Sequence, residues 1–212
     1  MAVNIGTDLK QELESELSRR ILVVDGAMGT ALEALRPTAV DFGGEDKEGC
    51  NEALNLFAPH LVETIHKGYL DAGADILETN SFNGSNLVLA EYGLEQEVLE
   101  VNRRAAELAR KAADCHSSGR RIYVAGAMGP TNKAITVTGG ISFDGLVDTY
   151  RLQSLGLILG GADYLLLETQ QDTLNIKAAL QGVGQAMQEA GRRLPLAVSV
   201  TIEMNGTMLA GQ

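Results

Sequence analysis

Short apolar runs recur along the chain, separated by longer segments with a helical pattern of apolar and polar residues. Runs of four or five residues that show no alternation of apolar and polar positions are typical of parallel strands covered on both faces. The sequence predicts five such strands, at residues 21–24, 74–78, 122–125, 163–167 and 196–200.

The segments between these strands have apolar residues three and four positions apart, which predicts amphipathic helices. The predicted helices cover about 59–72, 94–115, 143–160 and 174–190, and Pro59 is suited to a first helical position. A further helix over 8–20 precedes the first strand, with Leu9, Leu13 and Leu17 four residues apart. Loops are predicted at 36–52, 126–140 and 203–212.

Five strands alternating with helices predict an α/β fold with a parallel sheet, either an open doubly wound sheet or part of a barrel. We favour the barrel, because no G-x-G-x-x-G follows the first strand and polar residues follow several strands. A TIM-type (β/α)8 barrel needs about 250 residues. The sequence therefore predicts an N-terminal helix over 1–20 and a partial barrel of about five βα units over 21–212.

A partial barrel has two unpaired strand edges, at its first and last strands. Because the runs at 21–24 and 196–200 are apolar, we expect the chain to self-associate, to rearrange or to be poorly stable.

Composition narrows the functional classes. The net charge is −11 and the 17 basic residues form no long run, which argues against nucleic-acid binding. No apolar run approaches the roughly 18–20 residues of a membrane span, and the polar, acidic N-terminus is unlike a signal peptide. Only two cysteines are present, Cys50 and Cys115, so we expect no disulfide framework and a reducing, cytoplasmic location.

Two phrases occur twice in the chain. Gly-Ala-Met-Gly stands at 26–29 and 126–129, and Gly-Ala-Asp followed by an apolar run and Glu-Thr stands at 73–79 and 161–169. Each copy ends or follows a predicted strand. In a βα array the chemistry lies at the junctions between strands and the loops that follow.

Asp25 ends the first predicted strand and precedes the first Gly-Ala-Met-Gly. The backbone N–H groups of Gly26, Ala27, Met28 and Gly29 could bind a carboxylate while Asp25 binds an ammonium group, which suits a zwitterion. A helix-capping role for Asp25 is equally compatible with the sequence.

Glu78 and Glu168 end the second and fourth predicted strands, and each precedes a threonine. A buried carboxylate needs a cation, a set of donors or a ligand. For Glu78 an internal ion pair, or a bond to the amides of a neighbouring loop, is the favoured interpretation. Two acids also fit glycoside hydrolysis, but an aromatic content of 4% argues against a sugar site.

The loops after the strands supply further polar residues. Asn80, Ser81, Phe82 and Asn83 offer hydrogen bonds and one apolar wall, although asparagine after a strand is more often a turn residue. Thr131 lies in a turn-like segment, and Asp172 is placed to cap the following helix. Five remaining residues are assigned no function. His60, His66 and His116 are interpreted as ordinary surface or hydrogen-bonded histidines, and Cys50 and Cys115 as ordinary cysteines.

Five segments together carry a resemblance to a known family: ILVVDGAMGT at 21–30, GCNE at 49–52, AGADILETNSF at 72–82, GAMGPT at 126–131 and DYLLLET at 163–169. In this order they resemble the homocysteine S-methyltransferase family. They are most similar to the N-terminal homocysteine-binding modules of cobalamin-dependent methionine synthases.

The resemblance implies a TIM-type barrel that binds homocysteine, whose thiolate is held by zinc and attacks a methyl group. In the cobalamin-dependent enzymes that the chain resembles, the methyl comes from methylcobalamin, which other modules recharge from methyltetrahydrofolate. By the same resemblance, Asp25 and Glu168 bind the homocysteine ammonium, the backbone of 26–29 binds its carboxylate, and Phe82 and Asn83 line the pocket.

The chain departs from the family at the metal site. The resemblance implies three zinc-binding cysteines, one after the sixth strand and two after the eighth, and neither Cys50 nor Cys115 matches them. We therefore expect no metal ligand in this chain and no transfer activity, because a free alkyl thiol is mostly protonated at neutral pH. Two alternatives stay open: a non-catalytic amino-acid-binding or interaction fragment, and an unrelated open α/β protein that binds phosphate at the first turn. Cobalamin-, betaine- and sulfonium-dependent relatives share the amino-acid-binding face, so the methyl donor is not fixed.

Overall fold

The structure is a computed structural model that describes residues 5–117 and 119–212. It contains a four-stranded sheet in the order β1-β2-β3-β4, and each neighbouring pair is parallel. The strands are β1 Ile76–Glu78, β2 Tyr123–Met128, β3 Tyr164–Gln170 and β4 Leu196–Val200. Four of the five predicted strands and their parallel arrangement are thus confirmed.

The predicted strand at 21–24 is wrong as a strand. Only Val24 pairs with the sheet, through an isolated parallel bridge to Ile76. Asp25 N–H donates to the Ile76 carbonyl at 2.9 Å, so this segment runs beside β1 without forming a ladder. The side chains of Ile21 and Val23 are 85% and 54% exposed. β1 is only three residues long, and the Val23 N–H donates to the Asp75 carboxylate instead of a strand carbonyl, so no ladder extends along this segment.

The predicted helices are confirmed, with small changes at their ends. The eight α-helices of the described residues are α1 Ile5–Arg19, α2 Met28–Ala34, α3 Leu54–Phe57, α4 Pro59–Asp71, α5 Asn86–Leu89, α6 Val98–Cys115, α7 Phe143–Leu159 and α8 Thr173–Glu189. Short 3-10 turns cover Glu45–Lys47, Asn51–Ala53 and Ala90–Tyr92, so the predicted loop at 36–52 is partly helical. Asp172 caps α8 by accepting the N–H groups of Leu174 at 2.8 Å and Asn175 at 3.4 Å, as predicted.

Two strands run further than predicted. β2 continues to Met128 and β3 to Gln170, so residues 126–128 and 168–170 belong to strands rather than loops. Both strands lie inside the sheet with a partner on each side, which lets their ladders extend. Gly126 helps, because a Cβ at this position would lie 2.9 Å from Leu165.

The two faces of the sheet are packed differently. Leu165 and Leu167 of β3 pack in the same core as residues of α7 and α8. On the other face, Tyr164 and Leu166 pack with Tyr123 of β2. The first helix approaches this second face, where the Tyr123 hydroxyl donates to Glu12 at 3.0 Å. Side chains therefore alternate along β3, and the face opposite the helices leads up to Glu168.

The aspartates of the two Gly-Ala-Asp phrases have the same structural role. Asp75 accepts the N–H of Val23 at 3.1 Å, and Asp163 accepts the N–H of Val124 at 2.8 Å. Each also binds two arginines: Arg20 and Arg120 for the first, Arg110 and Arg121 for the second. These residues join the amino ends of neighbouring strands, at the opposite end from Glu78 and Glu168.

His66 differs from its prediction as a surface or hydrogen-bonded residue. It lies on the buried side of α4, it is 0% exposed, and neither ring nitrogen has a hydrogen-bond partner in the described part of the chain. Burial lowers the pKa of His66 to about 4, although nearby Glu63 acts in the opposite direction. His60 is exposed, and His116 Nδ1 lies 3.9 Å from Asp71, in agreement with their predicted ordinary roles.

Among the helices that the structure describes, none has both the length and the apolar composition of a membrane-spanning segment.

Candidate functional site

A cavity of about 440 Å³ lies at the carboxyl ends of the strands, where the sequence predicted the chemistry. It brings together residues from four separate parts of the chain. The predicted residues in its lining are Asp25, Gly26, Ala27, Met28, Gly29, Glu78, Asn80, Phe82, Asn83 and Glu168. Asn51, Glu52, Thr79 and Ser81 also line it. Thr131 is absent from the lining, and its hydroxyl donates instead to the Lys133 carbonyl at 2.5 Å.

Asp25 faces the cavity and does not cap the helix that follows. Its Oδ1 accepts the backbone N–H of Glu78 at 3.1 Å, and the N-cap of α2 is Ala27, without a side-chain hydrogen bond. The capping alternative is therefore wrong. Burial raises the pKa of Asp25 to about 7; the Glu78 N–H lowers it, whereas the charges of Glu78 and Glu168 raise it further.

Glu78 and Glu168 share the cavity with Asp25. Burial, followed by the charge of Glu78, raises the pKa of Glu168 to about 7, and burial also raises the pKa of Glu78. Within the described residues neither glutamate forms an ion pair, so the ion pair, one of the two partners expected for Glu78, is wrong. Three carboxylates that face one cavity without a cation favour a ligand with a positive charge.

A β-bulge lies at Glu168. Leu167 of β3 pairs with Val198 of β4 and Gln170 pairs with Val200, so Glu168 and Thr169 together lie opposite one residue, Ser199. The Thr169 N–H donates to Ser199 Oγ at 3.0 Å. Thr169 has a φ of 58°, in the left-handed region that a β-branched residue rarely adopts.

The wall formed by residues 79–83 is held by hydrogen bonds within the protein. The Thr79 and Ser81 hydroxyls lie 2.6 Å apart, Ser81 Oγ donates to the Ala127 carbonyl at 2.7 Å, and Thr79 Oγ1 accepts the Ala127 N–H at 2.9 Å. Asn80 donates to the Asn51 carbonyl at 2.8 Å. The polar atoms of this wall therefore fix the loop to β2 and to the segment before α3.

The Phe82 ring packs against the second Gly-Ala-Met-Gly. A Cβ on Gly129 would lie 2.7 Å from this ring, and the Gly129 N–H donates to the Phe82 carbonyl at 2.9 Å. Only a glycine at 129 leaves room for the aromatic ring that lines one side of the cavity.

Glu52 is a site residue that reasoning from strand ends missed. It is 4% exposed, its Oε1 accepts the Asn83 N–H at 2.8 Å, and burial raises its pKa. The GCNE segment carried part of the family resemblance, and this was its only signal. Glu52 lies in a 3-10 turn within a predicted loop, where no strand indicated the direction of its side chain.

The first Gly-Ala-Met-Gly forms the remaining wall. The first N–H groups of a helix have no acceptor within the helix, and here they begin at Met28. Tyr69 supports this turn, because its hydroxyl donates to the Ala27 carbonyl at 3.2 Å and its ring covers Gly26. A Cβ at Gly26 would lie 2.9 Å from the Tyr69 hydroxyl oxygen.

The described residues do not fit a zinc-thiolate centre. They contain no group of three or more His, Cys, Asp or Glu side chains arranged to hold a metal ion. Cys50 is buried in an apolar cluster, and burial, followed by the charge of Glu52, raises its thiol pKa to about 11. Cys115 lines a different cavity, of about 360 Å³, beside α4 and α6. We assign no chemical step to a metal held by these residues.

Comparison with known proteins gives one consistent result. A family model described as homocysteine S-methyltransferase matches residues 22–212. Two relatives are the methionine synthases of Mycobacterium tuberculosis (strain ATCC 25618 / H37Rv) and Mycobacterium leprae (strain TN). Their sequences are 43% and 42% identical to this one over 201 residues, which are 94% of the chain. The chain spans 17% and 16% of the lengths of these two relatives.

Solved structures agree with the sequence comparison. The oxidized form of the homocysteine methyltransferase MmuM from Escherichia coli matches with a TM-score of 0.76 and 25% identity, over 94% of this chain and 69% of that one. The metallated form of the same protein has a TM-score of 0.72 at 23% identity, which supports the fold alone.

Proposed function

Because this chain belongs to the homocysteine S-methyltransferase family, we propose that it is the homocysteine-binding portion of an enzyme that methylates the homocysteine thiol to give methionine. One observation carries the proposal: Asp25, Glu78 and Glu168 share a cavity with the backbone amides of 26–29, and no cationic side chain of the described residues lines it. An amino acid has the complementary charges, an ammonium and a carboxylate on one carbon atom.

The proposed roles follow from the position of each group. Asp25 and Glu168 bind the ammonium, and the negative charge of Glu78 strengthens their attraction for it. The amides that begin α2 bind the carboxylate. The Phe82 ring and Asn83 line the path of the side chain that carries the thiol.

The proposal assigns the transfer step to parts of an enzyme beyond the described residues. Activation of the thiol requires a group that lowers its pKa. Neither Cys50 nor Cys115 lines this cavity, so neither could bind a zinc ion there. We propose that the zinc ligands and the modules for cobalamin and methyltetrahydrofolate lie elsewhere in a larger cytoplasmic enzyme, and that this chain alone binds without transferring. The similarity to two methionine synthases supports a larger enzyme that makes methionine, and the resemblance of the motifs to cobalamin-dependent members supports methylcobalamin as the donor.

A partial TIM-type barrel over 21–212, preceded by the helical segment 1–20, is the architecture that we propose. Its support is the exposure of apolar residues at both ends of the sheet. Ile21 and Val23 are exposed at one end, and Val198 and Val200 are 42% and 47% exposed at the other. Further βα units between these ends would cover both sets of side chains.

Calorimetric titration of the chain with L-homocysteine tests the proposed function. We expect L-homocysteine and L-methionine to bind and 4-mercaptobutanoate, which lacks the ammonium group, to bind at least about tenfold more weakly. Asp25→Asn and Glu168→Gln should each weaken homocysteine binding about tenfold or more. Glu95→Gln, at an exposed acid outside the cavity, is the matched control.

Two results would contradict the proposal: equal binding of 4-mercaptobutanoate, or no binding of either amino acid. Repeating the titration with zinc separates the open alternatives. Amino-acid binding that depends neither on zinc nor on a thiol in the ligand indicates a non-catalytic fragment. This alternative is supported by the lack of a fitting metal site among the described residues. Phosphate binding that is lost in Gly26→Val, without amino-acid binding, indicates the unrelated phosphate-binding protein.

A further inference from the structure

We infer that Ser199 is a positioning residue for Glu168: its hydroxyl holds the β-bulge that contains Glu168 and so fixes the position of the Glu168 carboxylate in the cavity. This inference rests on the proposed function, because it concerns how the ammonium-binding carboxylate is held. Ser199 does not line the cavity and has no contact with the proposed ligand site.

Glu168 continues the face of Tyr164 and Leu166, and the bulge changes the direction of the side chains that follow it. In a regular strand, residues 168 and 170 would point to the same face. With the extra residue at 169, Glu168 lines the cavity while Gln170 is fully buried beside Tyr150, whose hydroxyl donates to Gln170 Oε1 at 3.5 Å. The bulge thus separates a cavity residue from a core residue two positions later.

Regular alternation along β3 sets the face of Glu168, and the backbone of the bulge sets its position at the end of that face. Its carboxylate forms no ion pair within the described residues, so that position depends on the backbone. Two contacts hold that backbone: the Thr169 N–H to Ser199 Oγ at 3.0 Å, and the Gln170 amide to the Glu168 carbonyl at 3.2 Å.

The strained backbone of Thr169 strengthens the inference. A β-branched residue at a φ of 58° persists only where its surroundings enforce that conformation. Ser199 is exposed, so its hydroxyl is not needed to fill a core. Ser199 is therefore not required for packing, and its hydroxyl is hydrogen-bonded to the strained residue. Both features suit a residue that positions Glu168.

Carbon-13 NMR of the full chain with labelled glutamate carboxyl groups tests the inference, with Glu168→Gln to assign the signal. In the unsubstituted chain we expect Glu168 to titrate near pH 7. In Ser199→Ala the Glu168 side chain reaches solvent, so its pKa should fall toward about 4. Homocysteine affinity should fall about three- to tenfold, the effect of one hydrogen bond. Ser199→Thr retains the hydroxyl and should restore both values.

Thr169→Gly provides a second variant whose two effects have opposite signs. Glycine adopts a positive φ without strain, so the melting temperature should stay the same or rise. A looser bulge should nevertheless lower both the pKa of Glu168 and the homocysteine affinity. A purely structural role for the bulge would change stability without moving the Glu168 titration.

The outcomes separate this inference from the proposed function. An unchanged Glu168 titration in both Ser199→Ala and Thr169→Gly overturns the inference, even if homocysteine binds. If Ser199→Ala fails to fold, Thr169→Gly decides alone. If the unsubstituted chain does not bind homocysteine, the proposed function fails and the titration still decides the role of Ser199.

Discussion

Individual carboxylates in this protein have opposite environments at the two ends of the strands. Burial alone would raise the pKa of Asp75, but the Val23 N–H and Arg20 hold it below its ordinary value. Asp25 and Glu168 have no arginine beside them among the described residues, and burial raises the pKa of each to about 7. The first arrangement stabilises the fold, whereas the second leaves negative charge free for a ligand.

The cavity acids should make stability depend on pH. Below about pH 3 both carboxyl groups are protonated in the folded and unfolded chains, so they have no effect. As the pH rises from about 4 to about 7, the unfolded chain ionises first and folding loses stability. The double variant Asp25→Asn, Glu168→Gln should match the unsubstituted chain near pH 3 and be about 2 kcal/mol more stable at pH 8, about 1 kcal/mol for each group after solvent screening.

Urea denaturation followed by circular dichroism at several pH values measures this difference. The Asp25→Asn substitution keeps a side-chain oxygen that can accept the Glu78 N–H, so the change isolates the charge rather than the hydrogen bond. Glu95→Gln, at an exposed acid outside the cavity, is the matched control. A double variant whose stability is lower than that of the unsubstituted chain at pH 8 would show that these carboxylates do not oppose folding.

Sequence reasoning located a residue well where a strand fixed its direction. Asp25, Glu78 and Glu168 each end an apolar run, and all three reach the predicted cavity. Glu52 follows no strand, so its burial could not be predicted. The ion pair expected for Glu78 failed because an apolar strand shows that a carboxylate is buried but does not show whether a cation is nearby.

The two copies of Gly-Ala-Met-Gly have different secondary structure because different strands lie beside them. The first Gly-Ala-Met-Gly begins α2, whereas Gly126, Ala127 and Met128 of the second belong to β2. β2 has a partner strand on both sides and the segment before α2 has one. Pairing with neighbours therefore overrides local sequence here, and no pattern within four residues could have predicted it.

The aspartate of the second Gly-Ala-Asp should stabilise the start of β2. Asp163 is 4% exposed and joins the start of β2 to Arg110 and Arg121. Asp163→Asn removes the negative charge that both arginines bind. We therefore expect the free energy of unfolding to fall by about 2–4 kcal/mol. Chemical denaturation measures the loss.

Asp148→Asn is the matched control for this substitution. Asp148 is 70% exposed at its side chain and contacts Arg151 on the surface of α7. Its replacement should change stability by less than about 0.5 kcal/mol. Equal effects of the two substitutions would show that the strand-start network at Asp163 contributes no more than a surface ion pair.

At the scale of the whole molecule, the order and direction of the sheet could be predicted because buried parallel strands leave a strong apolar signal. The run at 21–24 leaves the same signal and yet forms only the Val24 bridge. Its apolar residues are typical of a strand that is packed on both faces. In the part of the chain that the structure describes, only Leu22 of this run is buried. The exposed apolar residues at 21–24 agree with the proposed partial barrel, in which further βα units would cover them.

The uncovered ends of the sheet should make the chain associate with itself. Val198 and Val200 are exposed on the edge strand β4, whose outer hydrogen-bonding groups face away from β3. We expect sedimentation velocity to show a weight-average mass that rises with protein concentration. Val198→Lys with Val200→Glu places charges on this edge and should weaken association at least about tenfold, since it removes about 2 kcal/mol of apolar burial. Leu180→Lys, at a residue 43% exposed on α8, should leave association unchanged. A monomer that melts cooperatively at every concentration would mean that the exposed edges are stable in water without a partner.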